Sequence, residues 1–248
     1  MLKHIGLVFI TALTFMVVSR CKAATTDEIL RVYWNKQSLA ELQKIIPDQK
    51  AARQFATAVL MAEPHTDPEN IHKLDVDMEV LVEYEFVDLK GDGSEQFVCL
   101  LDITGRMRPT LLMAVENDHG HLKTAYLTGG EGAYGMGYLS GIIRDIKHNG
   151  RNEVLTVEAL GPFGGAAFPT PYLEHINVYQ DGKFVQSDRE FLDYYRNVSL
   201  PQRSEELSDL LQHGPPPDAG PEEREDYRKS IEAKQKEIAA LRKLLSNP

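Results

Sequence analysis

Cysteine is nearly missing from this chain: 248 residues hold only Cys21 and Cys99. Cys21 falls inside an N-terminal leader described below, which leaves one thiol and excludes an intramolecular disulfide framework. The fold must therefore rest on its hydrophobic core, which a chain of this length can supply. Cys99 sits in the apolar run Phe97-Val98-Cys99-Leu100-Leu101, where nothing would stabilise a thiolate, so it reads as a buried structural residue. Positive charge is also scarce. Lys and Arg number 27 against 37 Asp and Glu, a formal charge of −10. Such a surface repels phosphate backbones and anionic lipid, which argues against nucleic acid and favours a basic protein or a cation as partner. Catalytic signatures are missing too: there is no Gly-x-Ser-x-Gly, no His-Glu-x-x-His, and no thiol with a partner histidine. The glycine-rich stretch 129–138 carries no phosphate-binding lysine and opens no helix pattern.

One uncharged, apolar run is present, Ile5 to Val18, preceded by Lys3 and followed by Cys21-Lys22-Ala23 with small residues at the −3 and −1 positions of a cleavage site. It is too short to span a hydrocarbon core of about 30 Å and reads as a secretory signal over residues 1–23. The expectation is a secreted or periplasmic protein with no stable membrane span. Lipidation at Cys21 is a minor alternative, disfavoured because Arg20 is not the small residue that such a box requires. Cleavage would leave 24 basic residues against 37 acidic ones, a net charge of −13.

Residues 24–72 read as a helical region. Thr26, Ser38 and Asp48 are candidate caps, and Ala52, Phe55, Val59 and Leu60 form the apolar stripe of the third helix. From Asp75 the period changes to two: Val76, Met78, Val80, Val82, Tyr84 and Phe86 alternate with residues that include Asp77, Glu79, Glu83 and Glu85. That pattern predicts a strand with one apolar and one acidic face, either simply solvated or a docking surface for a basic partner. Residues 191–220 carry short helices and a Pro-rich linker. Residues 221–248 form an amphipathic helix opened by Pro221, with Glu222 and Glu223 at the positive end of its dipole. Its stripe of Tyr227, Ile231, Ile238, Leu241 and Leu245 breaks at Lys234 and Gln235. Packing on its own domain or on a partner is therefore expected over independent dimerisation.

Two segments between residues 73 and 190 look alike. Asp88-Leu89-Lys90-Gly91-Asp92-Gly93 matches Asp145-Ile146-Lys147-His148-Asn149-Gly150, 57 positions later, with apolar strands on both sides. Each is followed by a hairpin whose turn glycine, Gly120 or Gly182, recurs after 62 positions. A duplicated, mainly β unit of about 60 residues explains both spacings.

The duplicated unit resembles the FG-GAP or VCBS-type repeats, the calcium-loop blades of integrin-α-like β-propellers. Tyr134-Gly135 and Ala159-Leu160-Gly161-Pro162 stand near that family's Phe-Gly and Gly-Ala-Pro motifs in the second copy. The resemblance implies calcium ligands at alternate loop positions: Asp88, Asp92 and Gln96 in the first copy, and Asp145, Asn149 and Glu153 in the second. Calcium takes six to eight oxygens, yet the third position is a lysine in both copies, Lys90 and Lys147. Two readings stay open: weak calcium binding, or an ammonium that replaces the ion by pairing with the loop acids, which the doubled lysine favours. Two copies cannot close a propeller. The expected fold is α+β, a small antiparallel repeat domain of two blade-like modules packed with the N-terminal helices, plus a C-terminal helix. The expected function is a non-enzymatic interaction protein. The alternatives are a hydrolase whose groups, among Glu131, Tyr134, His119 and His175, meet only in the fold, and a weak calcium-dependent adhesion module.

Overall fold

The computed structural model describes residues 46–62, 81–102, 111–118, 121–128, 137–161 and 170–246. The leader, the first two expected helices, Asp77, Glu79, Glu131 and Tyr134 lie outside the described residues, as do the side chains of His119 and His121.

Helix α1, Gln49–Ala62, begins where Asp48 Oδ1 accepts the Ala51 amide at 2.9 Å, the cap that the sequence suggested. Its buried face is Ala52, Phe55, Ala56 and Val59. Four antiparallel strands follow in the order β1 (Leu81–Val87), β2 (Gln96–Leu101), β3 (Leu111–Asp118) and β4 (His121–Thr128). A short helix α2 (Leu139–Ile142) leads to a second four-stranded antiparallel sheet, β5 (Ile143–Arg144), β6 (Glu153–Ala159), β7 (Tyr172–Gln180) and β8 (Lys183–Gln186). The two sheets repeat one plan: strand, aspartate loop, strand, strand, a two-residue connection, strand. The α+β class and the two β modules are thus present.

Strands β2 and β3 are buried on both faces, so they read as continuous apolar runs rather than alternating ones. Phe97, Cys99, Leu101, Leu111, Met113 and Val115 pack beneath α1, with the Phe55 ring edge-on to Phe97 at 4.9 Å. Val98, Leu100, Leu112 and Ala114 share the other core with Val154, Leu155, Ile176 and Val178 of the second sheet. Cys99 is fully buried, and desolvation pushes its thiol far above the ordinary range, as its apolar surroundings implied.

The second core is closed by a C-terminal helical arm. A 3-10 turn (Asp188–Phe191) runs into α3 (Leu192–Tyr194), a π-type turn (Tyr195–Ser199) and α4 (Leu200–His213). Pro201 has no amide to give the Asn197 carbonyl, which accounts for the widened turn at this point. Gly214, at φ 63°, ends α4, and a short linker returns the chain into α5 (Pro221–Ser246). The pairs Arg203–Glu237, Lys234–Glu206 and Tyr227–Leu210 make α4 and α5 an antiparallel hairpin. The break in the α5 stripe at Lys234 is explained here. Lys234 Nζ lies 2.8 Å from both Glu206 and Glu237, and Arg203 reaches Glu206 at 3.0 Å and stacks on the Tyr172 ring at 4.7 Å. Glu237, 2% exposed, also accepts the Tyr172 amide at 3.2 Å. The arm is thus fixed to the second sheet both by this ion network and by apolar contacts of Phe191, Tyr195 and Leu241 with Ile176 and Val178. Among the described residues no helix is long and apolar enough to cross a membrane.

Candidate functional site

The two aspartate loops lie side by side at one end of the sheets, joined where the Asn152 backbone and side-chain amides both donate to the Asp88 carbonyl at 3.0 Å. Their internal bonding agrees at the Gly93/Gly150, Asp92/Asn149 and Gln96/Glu153 positions, while the remaining amides taken by the first aspartate differ. In the first loop Asp88 accepts the amides of Lys90, Gly91 and Gly93 at 3.0, 2.7 and 2.7 Å. In the second, Asp145 accepts those of Asn149 and Gly150 at 3.0 and 2.9 Å. Asp92 accepts the Ser94 amide and Asn149 the Arg151 amide, at 2.9 and 3.1 Å. Gln96 Oε1 accepts the Leu89 amide and Glu153 Oε2 the Ile146 amide, at 2.8 and 3.0 Å. Left-handed backbone recurs too: Gly91 (φ 73°) and Gly93 (φ 81°) answer to His148 (φ 53°) and Gly150 (φ 86°). Amide bonds hold Asp145 below the usual carboxylate range, with the Gly150 amide foremost. The Ser94 hydroxyl and amide do the same for Asp92.

The six residues that the resemblance marks as calcium-loop-like are therefore brought together in two equivalent turns, but their oxygens are largely committed to main-chain amides. Lys90 behaves as the ion-replacing reading requires, with its ammonium 3.3 Å from Asp92 and 3.5 Å from Glu116. Lys147 does not. It leaves its loop for Glu190 at 3.4 Å and lies 4.3 Å over the Phe191 ring, so the second turn is held by its amide bonds without the lysine. One contrast remains at the ninth position. Gln96 Nε2 donates to the Ser94 carbonyl at 2.8 Å, whereas Glu153, 1% exposed, keeps Oε1 without a partner. Burial raises the Glu153 carboxyl above its ordinary range. Among the described residues no three His, Cys, Asp or Glu side chains group as a metal site.

The acidic strand face is only partly displayed. A register shift in the pairing of β1 with β2 between Leu81 and Glu83 interrupts the strict alternation. Glu83 turns its carboxylate to the Leu139 amide of α2 at 2.8 Å, while Glu85 is exposed.

Two arrangements were not legible in the sequence. His175 on β7, named above among the groups of the hydrolase alternative, lies between two carboxylates that the sequence reading did not pair with it: Nδ1 is 2.7 Å from Asp188 and Nε2 is 2.8 Å from Glu158. Asp188 also accepts the Ile176 amide at 2.8 Å, the Tyr195 hydroxyl at 2.7 Å and the Gln186 amide at 2.7 Å. The second is a groove of about 460 Å³ between α4 and α5, floored by Leu210 and Tyr227 and rimmed by Glu206, Asp209 and His213. Leu211 beside it is 60% exposed. Residues 202–226 hold eight carboxylates and two guanidinium groups; Glu206 is paired with Arg203 and Lys234, and Glu225 with Arg228 and Lys229, so the anionic character of this end rests on the other six acids. The run of acids was visible in the sequence; the apolar floor was not, because it needs the hairpin to close.

No protein-family model matches the chain, and neither a curated protein nor a solved structure matches it. The repeat rests on the agreement between its two halves.

Proposed function

We propose that this chain is an exported, non-enzymatic interaction protein, that its two modules are degenerate relatives of the FG-GAP-type repeats, and that its partner is a basic protein segment. The observation that carries the reading is the groove between α4 and α5. It combines an apolar floor of Leu210 and Tyr227 with the carboxylates of Glu206 and Asp209 on its rim, within a segment rich in acids, and Leu211, next to Leu210 along α4, is 60% exposed. Apolar side chains of a partner would gain by leaving water in such a groove. Lysine and arginine heads would be steered to its rim, and their aliphatic stems would lie along its floor. The paired loops serve as a rigid scaffold in this reading, because their acids already bind main-chain amides.

The test is calorimetric titration with a helical peptide of leucine and lysine at amphipathic spacing. Wild type is compared with Asp209→Asn, whose carboxylate rims the groove, and with Glu85→Gln, whose carboxylate is exposed on β1. At roughly 0.5 kcal/mol per exposed charge, the first variant should bind about two-fold more weakly and the second should not. Equal losses in both would reduce the effect to net charge and remove the groove from the account.

A second reading, weak calcium binding at the second loop, is favoured by the unpartnered Glu153 oxygen. It is opposed by the amide bonds that occupy Asp145 and Asn149. Calcium that binds the folded form would raise its melting temperature, so an unchanged value at millimolar calcium excludes it.

A further inference from the structure

We propose that His175 and Asp188 form a pH-sensitive latch that fastens the C-terminal helical arm to the second sheet. The arm begins at Asp188, the first residue after the sheet to turn helical. Strand β8 ends at Gln186, so the Ile176 amide has no partner strand beyond it; Asp188 Oδ1 takes that amide at 2.8 Å and continues the ladder with a side chain. The same oxygen accepts the Tyr195 hydroxyl from within the arm at 2.7 Å. The other oxygen meets His175 Nδ1 and Gln186 Nε2, each at 2.7 Å. One carboxylate thus joins the end of β8, the middle of β7 and the first turns of the arm.

Asp188 is 8% exposed, and a buried carboxylate needs a compensating charge. Among the described residues the groups that face His175 are Glu158 from β6, Gln186 from β8 and Asp188 from the arm, with Tyr195 reached through Asp188. Only the imidazolium can donate from both ring nitrogens to the two acids, and Gln186 Nε2, 2.8 Å from Nδ1, then donates to Asp188 rather than to the ring. Burial alone would lower the His175 pKa, but the hydrogen bonds and charges of Asp188 and Glu158 outweigh it and raise the group above its ordinary value. Burial would raise Asp188, yet its bonds to His175, Ile176, Gln186 and Tyr195 hold it low.

The sign of the pH dependence follows from these directions. The His175 contribution is complete below the free-imidazole value of about 6.5 and is lost as pH rises through the higher native value. The Asp188 contribution is complete above about 3.9 and is lost as pH falls through its lower native value. Between these limits the latch is closed. Above the native histidine value the imidazole becomes neutral, Asp188 keeps a buried charge without its counter-ion, and the arm loosens. The acidic groove lies on that arm, so its presentation follows the protonation of His175.

The test follows the His175 imidazole by NMR across pH and measures hydrogen exchange, corrected for its intrinsic pH dependence, at Ile176 and across the 188–200 amides. Wild type should titrate above about 6.5 and lose protection several-fold across that midpoint. Glu158→Gln, an exposed change that leaves the fold intact, should lower the midpoint. His175→Gln should show no step in protection. A midpoint at or below 6.5, an unmoved midpoint in Glu158→Gln, or the same step in His175→Gln would each overturn the latch. If His175→Gln does not fold, the wild-type and Glu158→Gln titrations decide the matter alone.

Discussion

Replacing Glu153 by glutamine should stabilise this protein, although it alters a fully buried position. The expectation comes from comparing the two loops. Gln96 satisfies both ends of its amide, accepting from Leu89 and donating to the Ser94 carbonyl. Glu153 accepts from Ile146 in the same way, but its other oxygen has no partner. The matched bonding predicts that the new amide nitrogen would face the Arg151 carbonyl, the counterpart of the Ser94 carbonyl that Gln96 reaches. An unsatisfied buried oxygen costs about 1–3 kcal/mol, and a new amide-to-carbonyl bond contributes about 1 kcal/mol. Allowing for imperfect geometry, a net gain of about 1–2 kcal/mol is expected, and each kcal/mol is worth roughly 2–4 °C for a chain of this size. The pH profile makes the reasoning sharper. Burial, set against the Ile146 amide and the Arg151 and Lys147 charges and helped by Asp145, leaves the carboxyl raised. Wild type therefore carries no penalty below about pH 4.3, where the group is protonated folded and unfolded, and an increasing one as pH rises through the native value. Thermal melts of both proteins from pH 4 to 7 should show the advantage of Glu153→Gln growing with pH. A variant less stable than wild type, or an advantage that shrinks as pH rises, would mean that the native fold uses the anion and would refute the comparison.

Three further outcomes follow from the same contacts. Glu237→Ala leaves Arg203 and Lys234 without their shared, buried acid and should cost about 3 kcal/mol in denaturant unfolding. Gly91→Ala places a methyl group 2.8 Å from the Arg151 side chain at a φ of 73°; it should cost about 1–3 kcal/mol, whereas a neutral result would mean that the loops do not pack together as described. Phe55→Ala opens a hole beneath α1 against Phe97 and should cost about 3–5 kcal/mol, read from the shift in the urea midpoint.

What could be read from the sequence was what local bonds decide. The aspartate loops, the hairpin turn at Asp181-Gly182, the Asp48 cap and the Pro221 start of α5 each depend on residues fewer than ten positions apart, so spacing alone revealed them. The features that carry the functional proposals depend on distant pairs. His175 meets Asp188 and Glu158 at 13 and 17 positions, and Lys147 finds Glu190 43 positions away rather than an acid of its own loop. Glu83 reaches the Leu139 amide across 56 positions, which draws it away from the expected acidic face. In α5, Lys234 looked like a fault in an apolar stripe, since nothing local announces that Glu206 lies opposite it on α4.

The central claim is that the α4–α5 hairpin binds a basic segment, and amide chemical-shift mapping with the leucine–lysine peptide tests it most directly. Shifts should cluster at residues 206–214 and 224–231, fade as salt rises, and leave the aspartate loops unmoved. Shifts concentrated on the loops, or spread evenly over every acidic surface, would contradict it.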